Sequence, residues 1–500
     1  MTADCSSGPF SASHERLEEV ASWLEGDETN LLSHAELEEA LDVRGRALIR
    51  QLFQDHLDLR AKREPRLPEV TDVHGVTHAS VEAGHERALE TIFGDVTVTR
   101  LAYRHPKEPN LHPADAALNL PEERHSHGLR RLAAIESSRD SFGEATDSIL
   151  RHTGVRLGKR QVEALAGRAA VDFDAFYENR KPPVAETGDV IVLTCDGKGV
   201  VMRPDALRDA TAKAAERASP KLKTRLSRGE KRGRKRMAEL GSVYAATPVR
   251  REIADIFPRV HEKETEAVEG PSAKNKWLVA SVVDDAAAVI GQVFDEAERR
   301  DPAHARQWVA LVDGARHQIE VIESEAKARE IEVPIVVDLV HVVEYLWKAA
   351  WCFFAEGDPA AEEWVRDKAR AVLAGEATRV AGAIRRTATN RGLAKPARRG
   401  ADECAGYLTN KARYLDYPRA LTNGWPIATG VIEGACRHIV ADRLDRTGAR
   451  WGLAGAEAIL KLRALRSNND FDPYWKFHLA QERQRVHVSR YVDRIIPEAA

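Results

Sequence analysis

Apolar and polar positions divide the chain into stretches of different period. Leu37, Leu41, Ala47, Leu48, Leu52 and Leu57 recur at roughly helical spacing to about Arg60, which predicts an amphipathic helix. Ser33-His34-Ala35-Glu36 in front of it is a capping box: Ser33 can cap the Glu36 amide while the Glu36 carboxylate reaches back. Pro65 and Pro68 close that unit. The period then changes. Thr91-Ile92-Phe93, Gly94-Asp95 and Val96-Thr97-Val98-Thr99 predict two strands joined by a tight turn. A connector with Pro106, Pro109, Pro113 and Pro121 follows, and residues 126–180 return to helix. Within them, a helix over 142–151, a Thr153-Gly154 turn and a second helix from Leu157 carry Arg156, Lys159, Arg160 and Arg168. That is compatible with a DNA-reading helix-turn-helix, and equally with any helical hairpin.

Pro182-Pro183 marks a boundary, after which Val190-Ile191-Val192-Leu193-Thr194 forms a continuous apolar, β-branched run, as in a buried central strand. Further strands are expected at 241–246, 277–283, 308–312 and 334–337, with helices at 286–300, 317–329 and 341–354, the last apolar nearly all round and so buried. Clustered strands followed by strand–helix alternation predict an α/β fold, a mixed sheet covered by helices. Residues 356–420 read as an Ala- and Arg-rich helical insertion, and 428–466 as a last helical block.

Composition changes this picture little. The 500 residues are 43% hydrophobic and 31% charged, an ordinary globular balance that excludes collagen-like, mucin-like and wholly disordered chains. Lys+Arg 75 against Asp+Glu 78 gives a net charge of -3, so the total neither demands nor excludes a nucleic-acid partner. The distribution says more. Residues 221–236 hold Lys221, Lys223, Arg225, Arg228, Lys231, Arg232, Arg234, Lys235 and Arg236 against a single Glu230, a solvated loop suited to phosphates. Five cysteines (Cys5, Cys195, Cys352, Cys404, Cys436) without a CxxC pair argue against a disulfide framework or a cysteine zinc site. With no signal-peptide pattern at the N-terminus and no window near the ~18 apolar residues of a membrane span, a cytoplasmic protein is expected.

Three acids stand out for chemistry. Asp196 follows Val190–Cys195 in TCDGKG, Asp313 follows Trp308–Val312 in LVDG, and Glu433 lies in TGVIEGACR. Each has a bland reading: Asp-Gly after a strand is a turn signal, and a Glu early in a helix suits the dipole. Together, carboxylates ending central strands are costly to bury unless a cation compensates. Hard oxygen ligands suit Mg2+ or Mn2+, and two such ions could support phosphoryl transfer. Lys198, Arg437 and Arg443 are candidate phosphate contacts beside these acids. His341 is expected to orient Asp338 or a substrate phosphate. Trp347 and Trp351 are read as packing residues, with stacking of a flipped base as the alternative.

The segments TCDGKG (194–199), VDGARH (312–317), VVDLVHVVEYLW (336–347), NGWPIATGVIEGACR (423–437) and DRLDRTGARW (442–451) resemble the DDE transposases of bacterial insertion sequences, the ISKra group in particular, with more distant similarity to Mutator-like and hAT transposases. The likeness extends over most of 85–480. It implies a ribonuclease H-like sheet flanked by helices and an Asp-Asp-Glu site at Asp196, Asp313 and Glu433. Asp338 and His341 match an accessory D-x-x-H. Asp338 stays open as the second carboxylate, with strand order favouring Asp313. The resemblance also implies magnesium-dependent cleavage of transposon ends, transfer of the 3'-hydroxyl into target DNA, terminal inverted repeats as partner, and a homodimer or larger assembly on DNA at the nucleoid.

The expected organisation is a helical region (1–64), a β-hairpin element (65–105), a helical region with the possible helix-turn-helix (106–184), a catalytic core in two parts (185–355 and 423–470) around a helical insertion (356–422), and a basic tail (471–500). Two rivals remain: a catalytically silent DNA-binding protein derived from a transposase, and a carboxylate-based sugar hydrolase. The few aromatic residues, 6%, disfavour the second.

Overall fold

The computed structural model describes residues 8–182, 186, 188–217, 234–258, 268–446 and 448–498. They form two compact units, Met1–Asn179 with Asn469–Ala500, and Arg180–Asn468.

In the first unit, α1 (Ser11–Glu25) and α2 (His34–Arg63) form a helical hairpin. The capping box of α2 is present: Ser33 N–H donates to Glu36 Oε2 at 2.8 Å, and Ser33 Oγ accepts from the Glu36 amide at 3.4 Å. β1 (Ser80–Thr91) and β2 (Gly94–Arg104) pair antiparallel. The turn is Ile92-Phe93, two residues earlier than expected, and Gly94-Asp95 open the second strand. The Thr91 side chain explains the shift, since its hydroxyl accepts from the Phe93 amide at 3.1 Å and donates to the Gly94 carbonyl at 2.8 Å. Of the helices that follow, α3 (His127–Arg139), α4 (Phe142–Thr153) and α5 (Lys159–Ala169) pack around Leu129, Ile149, Val162 and Leu165.

Residues 471–500, expected as a tail, contribute the helix Phe471–Val486 to this unit. Its Tyr474 and His478 are buried. The basic residues are spent on buried partners, because an unpaired buried carboxylate would be costly. Arg485 donates to Asp172 at 2.9 and 3.1 Å, and His478 Nδ1 donates to it at 2.6 Å. Burial alone would raise the Asp172 carboxyl; these hydrogen bonds outweigh it and hold the carboxyl down at about 2. A depressed folded-state pKa adds stability above the ordinary 3.8 that is lost as pH falls toward about 2. Asp172→Asn is expected to cost about 2 kcal/mol near neutrality and to flatten the acid limb of thermal melts recorded across that window.

The second unit is α/β, built on a mixed five-stranded sheet: β3 (Val190–Met202), β4 (Arg234–Ala246), β5 (Ala273–Ser281), β6 (Trp308–Val312) and β7 (Ile335–Val337), in the order β5-β4-β3-β6-β7. β3 pairs antiparallel with β4 and parallel with β6, and β6 pairs parallel with β7. Val190 to Cys195 are buried without interruption, Asp196 to Gly199 are half-buried, and Val200 and Met202 are buried again. Helices α6 (Ala286–Arg300) and α7 (Arg316–Ala328) supply the crossovers.

α8 is Leu339–Ala350, two residues earlier than expected because the Asp338 side chain caps it. The insertion forms α9 (Pro359–Leu373), α10 (Ala377–Asn390) and α11 (Arg399–Asn410). It shares one apolar core with the sheet, running from Val192, Val309 and Leu311 through Val342 and Leu346 to Val365, Ile384 and Leu408. The last helical block is interrupted: α12 (Gly430–Ala435) passes into a π-helical turn, Cys436–Ala441, and α13 begins only at Leu453, ending at Ser467. Among the described residues, no helix is long and apolar enough to cross a membrane.

Candidate functional site

Strand register aligns the aspartates. Thr194 pairs with Leu311 and Val312 with Val337, so Asp196, Asp313 and Asp338 follow at one level across three neighbouring parallel strands. The Asp338 amide donates to the Val312 carbonyl at 2.8 Å, which carries that level into the loop after β7. Glu433 reaches the same end from α12.

The geometry around Glu433 is the tightest. Ligand atoms of Asp338, His341 and Glu433 all lie within 4.8 Å of one another, and His341 Nε2 is 3.9 Å from Glu433 Oε1. Thr429 ties two of them together: its hydroxyl lies 3.4 Å from Glu433 Oε1 and also bonds Asp338 Oδ2. Asp338 is fully buried, and its other oxygen accepts from the Val340 amide at 2.8 Å. Asp196 joins through Cys436, whose thiol donates to Asp196 Oδ2 at 3.1 Å. The Glu433 carboxyl is pushed up by burial and by the charge of Asp338, with Asp196 adding to it.

Asp313 is held differently. Its Oδ1 accepts from the Ala315 amide at 2.8 Å, which turns the chain into α7. Its carbonyl accepts from the Tyr407 hydroxyl at 2.9 Å. Tyr407 comes from α11 and stacks on Tyr345 of α8 with ring centroids 4.1 Å apart. The Asp313 charge is felt at Cys195, together with that of Asp196; after burial, both push that thiol up. Asp196 and Asp313 are half-buried and Asp338 is not exposed at all. Among the described residues, His341 is the only Lys, Arg or His side chain with a nitrogen within 4.0 Å of the carboxylates of Asp196, Asp313, Asp338 and Glu433. Crowded acids without Lys or Arg partners are the donor set that a hard divalent cation satisfies.

The expected phosphate contacts divide. Lys198 is half-buried next to Asp196, and its charge reaches Cys436. Arg437 is exposed one turn beyond Glu433, Arg234 is half-buried, and Lys235 is exposed with Asp445 at 3.5 Å. Arg236 is not available: its guanidinium clamps the carbonyls of Val282, Ala206 and Val283, the last two at 3.4 and 3.3 Å. Arg443 is not available either. It is 3% exposed, its guanidinium lies 4.6 Å from the Trp451 ring centre, and burial and then the Arg463 charge lower it to about 10. Arg236 thus satisfies backbone carbonyls and Arg443 packs its charge against a ring, roles that residue type cannot reveal. Arg228, Lys231 and Arg232 lie outside the described residues.

Sequence reasoning missed Thr429, Cys436, Tyr407 and Glu239. Thr429 and Cys436 stand four before and three after Glu433, the spacing of helical neighbours, so that signal was present. Glu239 sits across from Gly197 on β4, half-buried, its carboxyl raised by burial, with the Asp196 charge pushing the same way. Nothing local marked Tyr407. The Trp347 and Trp351 rings stack with centroids 5.0 Å apart, and Trp351 is 47% exposed, so that pair is not wholly core. No protein-family model and no curated protein matches the chain.

Proposed function

We propose that this chain is an insertion-sequence transposase of the DDE type, cleaving transposon ends and joining the 3'-hydroxyl to target DNA. The observation that carries the reading is the register: Asp196, midway along β3, stands level with Asp313, which directly follows the parallel strand β6, with Glu433 linked to Asp196 through Cys436. The strand order, three antiparallel strands and two more parallel to the first on its other side, supports a ribonuclease H-like core.

Asp196, Asp313 and Glu433 would hold Mg2+ or Mn2+. When bound, such ions make the attacking oxygen more acidic and offset charge on the phosphate. Asp338 is assigned a positioning role: both of its oxygens already accept hydrogen bonds, and through Thr429 it orients Glu433. Tyr407 and Tyr417 brace the two aspartate loops, donating to the carbonyls of Asp313 and Val337 at 2.9 and 2.8 Å. Lys198 and Arg437 are suited to DNA phosphates, whose binding would weaken steeply with salt. A second reading puts Asp338 in place of Asp313 as a ligand, favoured by its closeness to His341 and Glu433.

The test is incubation of the purified chain with DNA carrying the ends of its own element, with and without Mg2+. Magnesium-dependent nicking that vanishes in Glu433→Gln supports the proposal. Metal-independent binding without nicking identifies a silent DNA-binding protein instead.

A further inference from the structure

We propose that the open face of the α1–α2 hairpin is a self-association surface on which a second copy of this chain docks, α2 antiparallel to α2, without DNA. α2 runs for 30 residues yet buries only Asp55 and Leu57. Two of its sides are occupied. α1 covers one: Ser13 donates to Asp55 from its amide at 3.1 Å and its hydroxyl at 2.5 Å, and Arg44 lies 4.1 Å from the centre of the Trp23 ring. The rest of the unit covers another, through Arg46 on the His152 carbonyl, Arg50 on the Asp95 carbonyl at 3.5 Å and Gln54 on the Thr97 carbonyl at 2.9 Å.

The third side is apolar and uncovered. Leu41, Ile49 and Leu52 are 38%, 45% and 42% exposed, and with Gly45 they recur at intervals that place them on one helical stripe. Leu17 and Leu24 of α1, 54% and 42% exposed, are seven residues apart and share a face in the same way. A mid-helix glycine costs about 1 kcal/mol against alanine. At Gly45 nothing among the described residues lies within 4 Å of a built Cβ to account for it; a helix crossing at that point does.

Charge selects the occupant. From His34 to Val43, α2 carries Glu36, Glu38, Glu39 and Asp42 with no Lys or Arg; Glu36 is held in the capping box and Asp42 pairs with Arg46 at 2.7 Å, which leaves Glu38 and Glu39 to face the Arg60, Lys62 and Arg63 of the other end. A two-fold axis between Gly45 and Leu52 sets the acidic half of one copy against the basic end of the other, twice over. Such self-complementarity is what an isologous dimer requires, and a parallel pair would set like against like.

The surface stands apart from the catalytic reading and is tested without DNA, by sedimentation equilibrium of the full chain. The expected result is a dimer weakened about 30-fold by Ile49→Glu, the size of a single interface hot spot. Glu38→Lys/Glu39→Lys and Arg60→Glu/Arg63→Glu are each expected to weaken it, and mixing the two variants to restore a heterodimer. All sites are on the surface, and unchanged circular dichroism melts verify folding. A wild-type chain monomeric throughout the micromolar range, a dimer indifferent to Ile49→Glu, or a mixture that fails to recombine would each overturn the proposal.

Discussion

On the proposed transposase reading, Asp313→Asn is expected to lower DNA nicking on the order of 10³-fold and to abolish the Mn2+ uptake that the proposal expects calorimetry to read on the wild-type chain. Asp338→Asn is expected to lower nicking only about 10–100-fold, the usual effect of losing a group that orients a ligand, and to leave Mn2+ uptake measurable. The contrast follows from how the two carboxylates are held. Asp313 is half-buried, with Oδ1 on the Ala315 amide. Asp338 is buried completely, with both oxygens on Val340 and Thr429. An amide at 338 can still accept from Val340, whereas its NH2 donates to the Thr429 hydroxyl oxygen and turns the hydroxyl proton away from residue 338, which shifts the Thr429 contact with Glu433. The reverse ranking of the two variants, in uptake as well as nicking, would hand the second ligand position to Asp338.

Gly400→Ala is expected to destabilise the second unit by about 3 kcal/mol, lowering its melting temperature by roughly 6 °C or more. A Cβ at Gly400 would fall 2.2 Å from the Lys348 carbonyl oxygen and 2.9 Å from the carbonyl carbon, so α11 must lift off α8. That crossing also sets Tyr407 against Tyr345 and the Asp313 carbonyl, and nicking should fall with stability. Gly406→Ala on the same helix is the control. Its added methyl meets nothing within 4 Å, and the substitution should stabilise by about 0.5–1 kcal/mol through helix propensity. Equal melting temperatures for the two variants would refute the packing argument.

Much of the α/β unit was legible from local pattern. The run from Val190 to Cys195 is the fully buried part of β3, and the segments around Trp277, Trp308 and Val336 form the strands expected of them. Helix 341–354, apolar nearly all round, is buried on one face only: Val342, Leu346, Ala349 and Ala350 enter the common core, while Val340 and Trp351 are 45% and 47% exposed. The errors share a cause. The hairpin turn moved because the Thr91 hydroxyl closes a tighter loop. The C-terminal helix folded back because its charges meet buried partners of opposite sign: Arg485 reaches Asp172 at 2.9 Å, and Glu482 lies 3.2 Å from the buried Arg130. Arg236 and Arg443 look on paper like their exposed neighbour Arg437, and differ only in what surrounds them.

Strand identity and the capping box depend on the side-chain period and on hydrogen bonds between near neighbours, and both are written into short stretches of chain; where β3 ends is not, since it runs six residues beyond Asp196. Which acids meet is another matter. The grouping of Asp338, His341 and Glu433, the Cys436 link to Asp196 and the Tyr407 brace on Asp313 join segments far apart in the chain. Their meeting depends on sheet register and on helix crossings such as Gly400 against Lys348, which many weak contacts decide together and no single stretch encodes.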